Sequence, residues 1–304
     1  MFKLSQVIDG YTLAAHARRL SEHTLADYSN TFRKFQLFLA DDPPFDQIDR
    51  ASIAAFLSAQ TVSDKTLLNY HTGLSALWTW AAAEGYAAQN PLRQIERPRP
   101  ETRAIVPFSE ADLRAMLNAL ARSRTYNNRG STASNALPNQ DRNRAIILLL
   151  LDTGMRAEEL CRATLQDLDL KNQYIKVFGK GNKERVLPIC SRTAQVLWKY
   201  IAQRGDPLPG SPIFLTEDGT PLDRHRLLKQ LRAIGQRAGV RGAHPHRFRH
   251  TFAINFLRNG GNVYTLQMLL GHTTLDMCKK YLNIAQADLQ SIHRLASPVA
   301  NWRL

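Results

Sequence analysis

Three prolines within eleven residues set the first limit on how this chain can fold. Pro91, Pro98 and Pro100 lie in Asn90-Pro91-Leu92-Arg93-Gln94-Ile95-Glu96-Arg97-Pro98-Arg99-Pro100. A proline inside a helix removes a hydrogen bond and clashes with the preceding turn, and it biases the residue before it toward extended backbone. No continuous helix can run through such a stretch, so the 304-residue chain is expected to divide there. The expected organisation is a helical domain over residues 1–90, a basic Pro-rich linker over 91–106 and a second domain over 107–304.

Charge divides at the same place. Residues 1–100 carry ten Lys/Arg and ten Asp/Glu, so the whole excess, 30 basic against 16 acidic side chains, falls in 101–304. A net charge of +14 concentrated in one part of a chain calls for a polyanionic partner, and nucleic acid is the expected one, because phosphate contacts release condensed counterions. In the neutral first part, Lys65, Arg93, Arg97 and Arg99 are the candidates for touching it. Cys161, Cys190 and Cys278 have no Cys-x-x-Cys spacing, which fits a reducing compartment and packing roles. Met1 to Ala15 lacks a signal-type apolar core, and the run Ala145 to Leu151 is far short of the ~20 residues a membrane span needs. The expected location is the cytoplasm, on the nucleoid, with no membrane partner.

Helical periodicity dominates both parts. Tyr28, Thr31, Phe32, Phe35, Phe38 and Leu39 mark one helix, started by Ser21 or Thr24 and ended by Asp41-Asp42-Pro43-Pro44. Ser52 to Ala59 marks a second, and a third runs from an N-cap at Ser63 through Leu67, Tyr70, Leu74, Leu77, Trp78 and Ala81 to a stop at Gly85. These aromatic stripes are expected in the core, not on a base-stacking surface. Beyond the prolines, Ser109-Glu110-Ala111-Asp112 caps a helix, and Arg122 to Gln140 reads as an exposed, mobile loop whose Arg122, Arg124 and Arg129 lie close to nucleic acid. A buried helix, Asp141 to Asp152, stops at Thr153-Gly154. Alternation in Tyr174, Ile175 and Val177, then in Arg185, Val186, Leu187 and Ile189, frames a β-hairpin with Gly179-Lys180-Gly181-Asn182 at its tip. Helices at about Thr193–Gln203 and Arg224–Ala238 lead to Gly242.

The chemistry gathers at Arg156, Lys180, His246, Arg249, His272 and Tyr281. Two arginines can grip both non-bridging oxygens of one phosphate and offset the charge of a pentavalent transition state. Tyr281 is the candidate nucleophile. A free phenol ionises at about pH 10, so it needs a base, for which His246 is the candidate. Lys180, flanked by glycines, can act as general acid toward a departing sugar oxygen, and His272 can donate to the phosphate. No metal and no cofactor is expected, because guanidinium groups fill the role of a metal pair. His246 and His250 have half of a helical metal-site spacing, but no Glu lies between them, and Arg247 and Arg249 would repel a cation.

Four motifs carry a family likeness: Thr153-Gly154-Met155-Arg156-Ala157-Glu158-Glu159-Leu160, Gly179-Lys180-Gly181-Asn182-Lys183-Glu184-Arg185, His246-Arg247-Phe248-Arg249-His250-Thr251, and Leu270-Gly271-His272 followed by Tyr281. In this order they make the chain similar to the tyrosine recombinase (phage integrase) family, particularly its compact Xer-like members. The resemblance implies a mainly α fold with a small antiparallel β-sheet in the catalytic domain, in a two-domain architecture of a helical, SAM-like core-binding domain and a mixed α+β catalytic domain. It also implies cleavage through a 3′-phosphotyrosine at Tyr281 with release of a 5′-hydroxyl, retention of bond energy without ATP, and support of the pocket by Glu159 and His250. Lys183 and Arg247 join the expected DNA contacts. The partners implied are double-stranded core sites and a homo- or hetero-tetramer on two duplexes, with the last helix, anchored by Leu289 and Ile292, docked on a neighbouring protomer.

Three departures stand against that pattern. Phe248 replaces a usual Leu, the loop 122–140 is long, and the N-terminus is too short for a separate arm-binding domain. The expected activity is site-specific recombination, in integration and excision or in dimer resolution. A type IB topoisomerase, which shares the phosphotyrosine but acts alone, and a catalytically silent DNA-binding regulator are the alternatives.

Overall fold

The computed structural model describes residues 2–100, 106–121, 126–128, 131–133, 139–179, 183–205, 207–272, 274–275, 278, 281, 293, 297 and 299. Two compact units divide between residues 103 and 104.

Four helices build the first unit: α1 (Leu4–Ala17), α2 (Glu22–Leu39), α3 (Arg50–Ser58) and α4 (Asp64–Ala83). Local chemistry sets their ends. The hydroxyls of Ser21 and Ser63 accept the N–H groups of Thr24 and Thr66, at 3.2 and 3.3 Å, and the Asp49 carboxylate accepts that of Ser52 at 2.8 Å. α1 is an addition to the three helices expected. Its Leu4, Val7, Ile8, Tyr11 and Ala15 recur at helical spacing and are all buried. Most of the aromatic stripe packs inward as expected: Phe32, Phe35, Phe45, Phe56, Tyr70 and Trp78 are buried, and Phe45 stacks on Trp78 with ring centroids 4.7 Å apart, whereas Phe38, at the end of α2, is exposed.

The Pro-rich stretch begins as part of this unit, which corrects the expected linker start at residue 91. Pro91–Gln94 forms a 3-10 turn that buries Leu92 in the first unit's core. Asn90 fastens the turn to α4 by accepting the Leu92 N–H at 3.0 Å and donating to Ser75 O and Thr79 Oγ1 at 3.1 and 2.9 Å. Proline at the first position of a helical turn costs no hydrogen bond, so Pro91 starts a turn while Pro98 and Pro100 break one.

The second unit is mixed. Its helices are α5 (Glu110–Asn118), α6 (Gln140–Thr153), α7 (Ala157–Arg162), α8 (Ser191–Ala202), α9 (Arg224–Arg237), α10 (Pro245–Arg258) and α11 (Val263–Leu270). Its strands are β1 (Tyr126–Asn128), β2 (Ser131–Ala133), β3 (Leu168–Asp169), β4 (Tyr174–Phe178) and β5 (Glu184–Pro188). β3, β4 and β5 form an antiparallel sheet in that order, with Ile175 opposite Leu187 in the hairpin. Ile175, Val177 and Leu187 are buried from this sheet, as the period of two requires. The fold is therefore mainly α with a small antiparallel sheet in its second unit.

Within the segment expected to be a structureless loop, β1 and β2 pair antiparallel, Tyr126 opposite Ala133. Arg122, Arg124 and Arg129 lie outside the described residues. α6 is the axis of the core: Ala145, Ile146, Ile147, Leu149 and Leu150 are buried, and it packs on α8 and α10. No helix among the described residues is long and apolar enough to cross a membrane.

Candidate active site

All described members of the constellation belong to the second unit, and two left-handed glycines open the turns that carry them. Gly154, at φ +60°, caps α6 and sends the chain to Arg156; an added Cβ would run into the Phe252 ring. Gly271, at φ +61°, caps α11 just before His272, and an added Cβ would stand 3.2 Å from the Arg185 guanidinium. Only glycine takes this backbone conformation without strain.

Arg156 is the N-cap of α7 and is held by Glu159 one turn on. The carboxylate accepts the Arg156 backbone N–H at 2.7 Å and a hydrogen bond from its Nη1 at 2.9 Å. The same carboxylate accepts both terminal groups of Arg185, each at 2.8 Å, and Arg185 Nε donates to Leu269 O at 2.8 Å. Glu159 is only 5% exposed. Burial alone would raise its pKa, but the hydrogen bonds and charge of Arg185 and the bonds from Arg156 outweigh burial and hold it below its ordinary value. The Arg156–Glu159–Arg185 triad thus ties α7, β5 and the end of α11 into one frame. A buried carboxylate stripped of one such partner loses about 3–5 kcal/mol.

Arg249, on α10, is 3% exposed and donates to Gly154 O at 2.8 Å, to Leu270 O at 2.7 Å and to His272 Nε2 at 2.9 Å. A guanidinium has no acceptor, so His272 Nε2 accepts and its hydrogen sits on Nδ1, facing Cys278 Sγ at 3.3 Å. Expected as a donor to phosphate, His272 is instead an acceptor in this arrangement. Burial, with Arg249, Arg156, Arg185 and His246 nearby, brings its pKa to about 4. Burial and then the charge of Arg156 bring that of Arg249 to about 10, which leaves it cationic at neutral pH.

Tyr281 is 4% exposed and packs with Ala253, Ile254, Leu257, Leu266 and Leu270. Its hydroxyl meets His250 Nδ1 at 2.8 Å. His246, the expected base, stands one turn earlier on the same helix face, and it is His250 that reaches the hydroxyl. His246 lies against the His250 ring instead, with centroids 4.2 Å apart, and its own surface is exposed. Burial raises the Tyr281 pKa, with Arg249 opposing; burial, then Arg249, His244 and Arg156, lower that of His246.

The expected DNA contacts separate into two kinds. Lys65, Arg93, Arg97, Arg99 and Lys183 are exposed, Arg99 pairing with Glu96 at 3.8 Å. Arg247 is turned inward and is corrected accordingly. Its guanidinium donates to Val106 O at 3.0 Å and Pro107 O at 3.2 Å, lies 3.6 Å from Asp112 and covers the Phe108 ring at 4.0 Å. Lys180 lies outside the described residues. The sequence reading missed Arg185 and Cys278 as members of the site; the first alone left a signal, as the last residue of the Gly179–Arg185 motif. Phe248, in place of Leu, is fully buried against Phe108. Among the described residues, no group of His, Cys, Asp and Glu is arranged to hold a metal ion.

Residues 106–288 match the phage integrase family, and residues 6–97 match the phage integrase SAM-like domain. Tyrosine recombinase XerD of Staphylococcus haemolyticus (strain JCSC1435) is 30% identical over 291 residues, covering 92% of this chain and 94% of that protein. Tyrosine recombinase XerC of Staphylococcus saprophyticus is 28% identical, covering 93% and 94%. A solved structure of the Tn1549 transposon integrase in complex with a circular intermediate DNA shares the fold, with a TM-score of 0.76 at 19% identity over 96% of this chain and all of that one. Since one family spans more than half of the chain and a relative of 30% identity spans nearly all of it, the chain belongs to the phage integrase family of tyrosine recombinases and is a site-specific DNA recombinase.

Proposed function

We propose that Tyr281 attacks the scissile phosphate of double-stranded DNA, forming a 3′-phosphotyrosine and releasing a 5′-hydroxyl that then attacks the partner strand. The observation that carries this reading is a buried phenol hydrogen-bonded to an imidazole beside the cation of Arg249. Arg156 and Arg249 bind the non-bridging oxygens. Their geometry is set before substrate arrives, Arg156 by Glu159 and Arg249 by two carbonyls, so little reorganisation is left for the reaction. The reaction as proposed uses no metal ion and no nucleotide cofactor.

The strand exchange is proposed to run in a tetramer on two duplexes, assembled through the segment after Tyr281. An apolar wall of Leu113, Leu151, Phe252 and Phe256, which shares its hollow on the second unit with Glu110, Asp152, Asn255 and Asn259, is proposed to seat the apolar helix expected around Leu289 and Ile292. Those two residues lie outside the described ones. A plasmid bearing two sites is expected to give recombinant products, and deletion of residues 291–304 to abolish them while single-site binding persists. Relaxation of a one-site supercoiled plasmid without recombination of the two-site plasmid would favour the topoisomerase reading. DNA binding with neither product would favour the silent regulator.

Lys180, between β4 and β5 in sequence, is proposed to protonate the departing 5′-oxygen. Lys180→Ala is expected to cleave a 5′-bridging phosphorothiolate near the parental rate, since a thiolate leaves without a proton. Equal losses on the oxygen and sulfur substrates would remove Lys180 from that role.

A further inference from the structure

An arginine on the inward face of a strand needs a buried partner. Arg185 stands opposite Val177 in the hairpin and two residues before Leu187, so the period of two turns it toward the core with them. Its side chain is 13% exposed. Each nitrogen of the guanidinium is engaged: Nη1 and Nη2 donate to the two oxygens of Glu159, both at 2.8 Å, and Nε donates to Leu269 O at 2.8 Å. A bidentate pair of this kind holds the guanidinium in one plane and one place.

The backbone packed against that guanidinium leads directly to the reacting groups. An added Cβ would stand 3.5 Å from Arg185 Nη1 at Gly179 and 3.2 Å from it at Gly271. Gly179 directly precedes Lys180, and Gly271 directly precedes His272. The Gly179 N–H donates to Lys183 O at 2.9 Å, so both ends of the connection carrying Lys180 are fixed within two residues of Arg185. Glu159, the carboxylate partner, holds the backbone N–H and Nη1 of Arg156. From this juxtaposition we infer that Arg185 is a positioning residue for strand cleavage, which fixes the hairpin end that delivers Lys180 relative to Arg156 and His272. The inference rests on Lys180 being the general acid.

The sheet itself leaves this role open. β5 is an edge strand, and Arg185 ties that edge to α7 through Glu159 and to α11 through Leu269 O. Lysine carries its ammonium on a flexible four-carbon stem, so the placement of its backbone decides where the proton can be delivered. A misplacement of about 1 Å costs about 10²-fold in rate. Arg185→Lys keeps the charge that buried Glu159 requires, but one ammonium cannot bridge both carboxylate oxygens and Leu269 O together. Charge is matched in that variant while position is loosened.

The test is single-turnover cleavage of a nicked site by Arg185→Lys, compared with the parent on a natural 5′-oxygen and on a 5′-bridging sulfur. Arg185→Lys is expected to cleave the oxygen substrate about 10–10² more slowly than the parent. On sulfur, whose departure needs no proton, most of that loss should vanish, and the remainder is the share carried through Arg156. Added to Lys180→Ala, the substitution should cost only this remainder on oxygen. Arg185→Gln, whose amide can still donate to Glu159, should show the same selective loss, and a mobility shift and thermal midpoint on each preparation report folding. Equal losses on oxygen and sulfur, with Lys180→Ala itself rescued by sulfur, make Arg185 a fold residue and overturn the inference alone. Parental cleavage of oxygen by Arg185→Lys, or loss of the folded state in both variants, does the same. If sulfur does not rescue Lys180→Ala, the general-acid reading fails and the inference falls with it.

Discussion

Tyr281→Phe is expected to remove covalent capture of DNA altogether and to leave DNA affinity unchanged. The substitution deletes one oxygen and keeps the ring among Ala253, Ile254, Leu257, Leu266 and Leu270. His250 loses its 2.8 Å partner, yet its ring is only half-buried and water can replace the hydroxyl. The stability cost is that of one hydrogen bond, about 1 kcal/mol. A denaturing gel on a nicked site reads capture, and a mobility shift reads affinity. Undiminished adduct from the Phe variant would place the nucleophile elsewhere.

Arg249→Ala is expected to carry the next largest effect, because Arg249 serves both fold and reaction. In the reaction it is a pre-set donor, and losing one such donor slows catalysis by roughly 10²–10³. In the fold it satisfies the carbonyls of Gly154 and Leu270, which end α6 and α11. Each carbonyl left buried without a donor costs about 1–3 kcal/mol. Arg249→Lys keeps the charge but cannot reach two carbonyls and His272 together, so it should recover part of the stability and little of the rate. Cleavage rate and thermal midpoint are measured on the same preparations. Parental cleavage by a destabilised Arg249→Ala protein would assign this arginine to the fold alone. A prediction of opposite character concerns His272: released from Arg249, its pKa should rise from about 4 toward the ordinary value, since Arg249 follows burial among the causes that depress it.

Several elements could be read directly from the residues because local chemistry decides them. Ser63 before a Leu67-to-Ala81 stripe, Ser109 with Asp112, and the alternation around the Gly179–Asn182 turn each specify a start, a face or a reversal. β3 could not be read, because two residues, Leu168–Asp169, are too few to show a period. α1 is legible in principle from the helical spacing of Leu4, Val7, Ile8 and Tyr11. Pro91 misled in the other direction, since a rule about breaking helices also allows starting one.

Within the site, spacing identified the helix face but not the partner. His246 and His250 are four apart and point the same way; which of them meets Tyr281 depends on where a residue 31 positions further on returns to α10. Arg247 read as a DNA contact because charge alone cannot show direction, and the Phe108 ring that turns it inward is 139 residues upstream. Arg185 lay inside a quoted motif, but its pairing with Glu159 joins a strand to a helix across 26 residues. Long-range pairing of this kind leaves no local periodicity.

The most direct test of the account is identification of the residue joined to DNA. A nicked site is incubated with the intact protein, the complex is digested with protease and nuclease, and the nucleotide-bearing peptide is sequenced by mass spectrometry. One modified residue is expected, Tyr281, carrying a 3′-nucleotide through its phenolic oxygen. A nucleotide on any other side chain, or strand cleavage with no linked peptide, would contradict it.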